Sequence, residues 1–130
     1  MRTPRTDVST AMHNLILAMK QIQETLRLWS LEQASPEQVS DCFMQFGVEF
    51  NVIVRAFEGY GIGTGDLHPI PAALRSALEN LLGEDPSPAI LAMYMPEIRG
   101  HLYELLQGLR AKQGPWKAAT RALATTSPVA

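Results

Sequence analysis

The sequence predicts an all-α protein, a helical bundle of two long helices, a short helix and a proline-broken final helix. Three observations predict it. Apolar residues recur at steps of three and four along most of the chain, the spacing of a buried helical stripe. No run alternates strongly enough to read as a strand. Serine, proline and glycine stand where helices would start and stop.

The first helix carries its stripe at Val8, Met12, Leu15, Ile16, Met19, Ile22, Leu26 and Trp29, with Lys20, Gln21, Gln23, Glu24 and Arg27 between. It spans about six turns. The second announces its start with Ser35-Pro36-Glu37-Gln38: a capping serine, a proline at the first helical position, an acid near the positive helix end, and a glutamine able to close a capping box. Its stripe is Val39, Phe43, Phe46, Phe50, Ile53, Val54 and Phe57, which places this helix at the centre of the core. Gly59 and Gly61 supply left-handed residues that end it. Mid-helix, Gly47 lacks a side chain and would let another helix approach closely.

A glycine-rich loop, Gly59–Gly65, leads through Asp66-Leu67-His68-Pro69 to a short helix over 71–82, ended by Gly83. Glu84-Asp85-Pro86-Ser87-Pro88 is a turn capping a short helix over 89–95. Pro96 lacks a backbone N–H and restricts Met95, so the chain breaks or kinks there before a last helix to about Gln113. Gly114-Pro115 ends that helix. The organisation read from this is a flexible N-terminus (1–7), a helical bundle domain (8–113) and a basic low-complexity tail (114–130).

Charge and cysteine usage narrow the function. Eleven Lys and Arg against thirteen Asp and Glu give a net charge of −2, so no global basic excess recruits nucleic acid. Residues 1–107 carry seven basic and thirteen acidic residues, about −6, whereas residues 108–130 carry four basic residues and no acid. The single cysteine, Cys42, forms no intramolecular disulfide and favours a reducing compartment. No apolar run approaches the roughly 18 residues of a membrane span. The start has neither the apolar segment nor the cleavage site of a secretory signal. Cytoplasm is the expected location.

Catalytic, cofactor and metal motifs do not emerge. The glycine run fails as a phosphate loop because a helix precedes it and Asp66, an anion, closes it. Glu97, His101 and Glu104 share a helix face, which reads as solvated i,i+4 pairing rather than a metal set. Cys42 beside Phe43 reads as a packed thiol. The methionines, Met93 and Met95 with Met12, Met19 and Met44, and Tyr94 would suit ordinary core filling or an adaptable apolar site. A small helical carrier holding a lipid or other apolar ligand in the bundle interior is therefore the alternative reading.

A set of short segments in fixed order goes further. They are Gln38-Val39-Ser40-Asp41, Gly47 with Glu49-Phe50, Arg55-Ala56-Phe57, Asp66-Leu67, Ile70-Pro71, Leu74-Arg75, Leu78-Glu79 and Pro86-Ser87. Tyr94-Met95-Pro96-Glu97-Ile98-Arg99 and Leu105-Leu106-Gln107-Gly108-Leu109-Arg110 follow, before Lys112-Gln113. Across residues 10–113 this pattern resembles the N-terminal domain of the fungal actin-interacting, bud-site-selection polarity protein family, cofactors that assist formins in nucleating actin cables.

The resemblance implies a non-enzymatic scaffold module for cell polarity and the actin cytoskeleton, without cofactor. It implies enrichment at the cell cortex or sites of polarised growth, binding to protein partners of the polarity machinery, and self-association. Actin and formin binding belong in the family to a helical region further along, and are not expected from this segment. Whether the chain is a fragment of a longer scaffold or free-standing stays open. Arg75, Glu79, Tyr94, Arg99, Gln107 and Arg110 are the expected partner-binding residues. A homodimer would bury the surplus apolar surface of the first helix, whose run Leu15–Met19 is wider than one stripe requires.

Overall fold

The computed structural model describes residues 7–125; the readings made for residues 1–6 and 126–130 lie outside the described residues. Four helices and no strand occur among the described residues: α1 (Val8–Ser30), α2 (Pro36–Gly59), α3 (Pro69–Leu82) and α4 (Pro88–Thr125). Local chemistry sets the first boundaries. The Asp7 carboxylate caps α1, accepting from the Ser9 and Thr10 amides at 3.3 Å each. Ser35 and Gln38 close the capping box of α2: the Gln38 amide donates to Ser35 Oγ at 3.2 Å, and the Ser35 amide to Gln38 Oε1 at 2.7 Å.

Both long helices end in the same hydrogen-bonded motif, with different residues in its left-handed position. At α2, Gly61 (φ 76°) bonds back to the Glu58 carbonyl and Ile62 to that of Phe57. Gly59 lies within the helix, so only Gly61 uses the left-handed conformation expected of both. At α1, Glu32 (φ 59°) takes that position, bonding to the Trp29 carbonyl while Gln33 bonds to that of Leu28. A side chain in this region costs about 1–2 kcal/mol.

Short connections fold α2 back on α1 and α4 back on α3. Thr25, late in α1, meets Cys42, early in α2, with Oγ1 and Sγ 3.2 Å apart. α1 packs mainly on α2 and α3 mainly on α4, while thinner α1–α4 and α2–α3 contacts close the bundle. The interior holds fully buried Leu15, Ile22, Trp29, Phe46, Phe57, Leu74, Ile98 and Leu105. Each buried aliphatic or Phe side chain contributes roughly 1.5–3 kcal/mol. Phe43, Phe46 and Phe50 stack along α2, with ring centroids 5.9 and 6.4 Å apart.

The final helix departs from expectation. It starts at Pro88 and runs unbroken through both Pro96 and Pro115 to Thr125. A proline interrupts one backbone hydrogen bond and crowds the carbonyl four residues earlier, at about 3 kcal/mol in an isolated helix. Here Met95, Ile98 and Leu102 are buried around Pro96, so packing on the core carries the helix across. Past Gly114-Pro115, partly buried Trp116 packs on the same core, and the tail read as low-complexity is helical as far as Thr125. At about 1.5 Å per residue α4 is roughly 57 Å long against roughly 34 Å for α1. Lys117, Ala118, Thr120, Arg121 and Ala122 are exposed on its extension.

The paired helix ends yield a test. Replacing Glu32 by glycine relieves the left-handed side chain while loosening the unfolded chain. Glu32→Gly is expected to raise stability by about 0.5–1 kcal/mol, measured by urea unfolding.

Candidate interaction surfaces

The loop between α2 and α3 docks on α4 through two neighbouring residues. Leu67 is fully buried, lying over Gly108, where an added Cβ would stand 2.5 Å from Leu67 Cδ2. Beside it, Asp66 accepts both its hydrogen bonds from the Lys112 ammonium, at 2.7 and 2.9 Å. The Lys112 side chain is only 9% exposed, whereas that of Asp66 is 58% exposed. Hydrogen bonding from Lys112 holds the Asp66 carboxyl below its ordinary value, outweighing the opposing effect of burial. Thr64, buried in the same loop, donates to Glu58 Oε2 at 2.9 Å and lies 3.1 Å from His68 Nε2. His68 packs edge-on against Phe50.

Two sequence readings change here. Lys112, counted with the basic tail, is committed to Asp66, which leaves Arg110, Lys117 and Arg121 as the exposed basic residues of that end. Gly47 has nothing within 4 Å of the place a Cβ would occupy, so no helix approaches closely there, and the glycine that admits a close neighbour is Gly108, against the loop residue Leu67. Both glycines stand mid-helix, and only the fold tells them apart.

Two grooves open where the hairpins meet. One, of about 470 Å³, lies between the end of α1 and the start of α4, over Leu31, Leu91 and Met95, with Arg27 and Arg99 at its edge. It continues along α1 to Lys20. The other, of about 390 Å³, lies between α2 and α3 over Val39, Phe43, Leu78 and Leu82.

The six expected partner-binding residues do not form one patch. Arg75 and Glu79 pair at 3.4 Å on the α2–α3 groove, and Arg99 lines the α1–α4 groove. Tyr94 is half-buried against the core. Gln107 and Arg110 are exposed on α4. Sequence reasoning missed Lys20, Arg27 and Leu31, because an amphipathic pattern does not tell which neighbour leaves a groove open. Arg27 binds Glu24 through two hydrogen bonds, which lowers the carboxyl's pKa and raises that of the guanidinium.

Other candidates disperse. Met12, Met19 and Met95 are buried in the core, whereas Met44 and Met93 are 68% and 73% exposed, so the methionines do not gather at one apolar site. Of Leu15–Met19, only Leu17 remains largely exposed. His101 pairs with Glu97 at 3.5 Å. Among the described residues no three His, Cys, Asp or Glu are grouped to hold a metal ion, and no helix is long and apolar enough to cross a membrane.

Residues 9–117, from the first turn of α1 to just past Trp116, match the family model of the Aip3p/Bud6 N-terminal domain. The chain belongs to that family. No curated protein and no solved structure matches it. Membership makes the bundle a domain of a polarity- and actin-associated scaffold. The matched span takes in both partners of the loop-to-α4 lock, Asp66-Leu67 and Gly108 with Lys112, and crosses Gly114-Pro115.

The lock gives two tests. Gly100 has open space where Gly108 has Leu67. Gly100→Ala is expected to stabilise by up to about 1 kcal/mol, with Gly108→Ala at least about 1 kcal/mol less stable than it, both by thermal unfolding. Asp66→Asn leaves the ammonium poorly paired and is expected to cost about 1–2 kcal/mol at pH 7, the low end because the carboxylate faces water. The folded-state pKa of Asp66 is depressed, so this contribution is complete above the unfolded value of about 3.9 and is lost as pH falls through the folded one. Urea unfolding over a falling pH series should show the wild-type advantage over Asp66→Asn at pH 7 and its progressive loss in acid, below about 3.9.

Proposed function

We propose that this Aip3p/Bud6 N-terminal domain is a non-enzymatic interaction module that places a polarity scaffold at cortical sites of growth or division. The observation that carries the reading is the family match over residues 9–117. The two open grooves support it physically, because each joins an apolar floor to charged edges, the composition of a protein-binding surface. In this reading Arg75 and Glu79 frame one docking groove and Arg99 the other, while Gln107 and Arg110 offer polar contacts further along α4. The domain binds protein partners of the polarity machinery and associates with itself. Direct actin or formin binding is not part of the reading.

The test is imaging of the fluorescently tagged chain in a polarised fungal cell. Enrichment at growing tips or division sites is expected, together with loss of at least half of that enrichment in the Arg75→Ala/Arg99→Ala variant at equal abundance. A diffuse signal from a chain that is folded and stable would overturn targeting by this domain.

A further inference from the structure

We infer that copies of this domain assemble head to tail, the acidic outer stripe of α2 in one copy seating in the α1–α4 groove of the next. This rests on the proposed self-association and names the surfaces that carry it.

The groove is segregated along its length. Leu31, Pro88, Leu91 and Ala92 line one end, and Lys20 and Arg99 stand at the other, with Arg27 between. Glu24 is the acid among the lining residues, and Arg27 already binds both its oxygens. Lys20 and Arg99 have no ion-pair partner among the described residues. The groove thus presents two uncommitted cations on a body that carries an excess of acids. Glu32, exposed beside Leu31, makes the apolar end unfavourable for incoming carboxylates.

The outer face of α2 carries the complementary pattern. Glu37, Asp41, Met44 and Val48 follow at steps of four, three and four, so they share one face of the helix. All four are exposed, Met44 at 68% and Val48 at 54%. No basic residue occurs in α2 before Arg55. The stripe covers about 16 Å of helix, the length of α1 between Lys20 and Leu31. Seated with its carboxylates at Lys20 and Arg99, an incoming α2 lays Met44 and Val48 over the apolar end. It then runs parallel to the α1 of the receiving copy.

The two surfaces lie on opposite sides of the bundle. Met44 lines the α2–α3 groove, across from the α1–α4 groove. One pair of copies therefore cannot satisfy both surfaces with each other. Each bound pair keeps a free stripe and a free groove, the condition for a heterologous, growing assembly.

Two variants of the whole chain separate head from tail. Lys20→Glu/Arg99→Glu keeps the stripe and loses the groove, while Glu37→Gln/Asp41→Asn keeps the groove and strips the stripe of its charge, so the two altered surfaces do not attract each other. Both alter exposed side chains, and unchanged far-ultraviolet circular dichroism verifies the fold. In sedimentation velocity at low salt, wild type is expected to grow with concentration past a dimer. Each variant alone should associate about tenfold or more weakly. An equimolar mixture of the two should form a one-to-one dimer that grows no further. Wild type that stays monomeric, or plateaus at a closed dimer, would overturn the proposal, as would a mixture no larger than either variant alone. A closed dimer would leave self-association standing, and a monomer that still concentrates at growth sites would leave the targeting reading intact.

Discussion

The bundle depends on the seating of Asp66-Leu67 against α4. The two helical hairpins are each well packed internally and touch each other sparingly, so something must fix how they sit together. Leu67 supplies the apolar contact by filling the space left at Gly108. The Asp66–Lys112 pair supplies direction, because an ammonium on a 9% exposed side chain needs a partner and the loop offers one. Placed on the linker between the hairpins and on the helix at the far end of the chain, these residues close a connection spanning 46 positions.

That division of labour also explains where the surface is open. The contact of α1 with α2 is the most extensive in the bundle and that of α3 with α4 the next, while the seams between the pairs are thinner. Both grooves lie on those seams. Each takes its apolar floor from residues such as Leu91 and Leu78, which helical patterning directs inward, and its charged edge from residues such as Arg99 and Arg75, which it directs outward. A domain built from two hairpins thus acquires two candidate docking faces as a consequence of its packing, one on either side.

The long final helix adds a separate element. Prolines at 96 and 115 weaken it locally, and burial of Met95, Ile98 and Leu102 at the first and partial burial of Trp116 at the second hold it together. Beyond Trp116 it continues with Lys117 and Arg121 exposed, while Lys112 stays tied to the loop. The basic end of the chain is therefore smaller in free charge than its composition suggests.

Read without coordinates, the chain discloses its helical class, the capping box at Ser35, the stripes of α1 and α2, and its family, because caps and amphipathic periodicity are local and survive without neighbours. The continuity of α4 was not legible, since a proline's local cost is overcome only by burial that the rest of the fold supplies. Nor could the sequence rank its glycines: Gly47 and Gly108 look alike in a helix, and only the position of Leu67 makes one of them necessary. The groove residues Lys20, Arg27 and Leu31 were hidden for the same reason. A residue's own spacing states which face it lies on, while whether that face is covered, paired or left open is decided by which helix packs beside it.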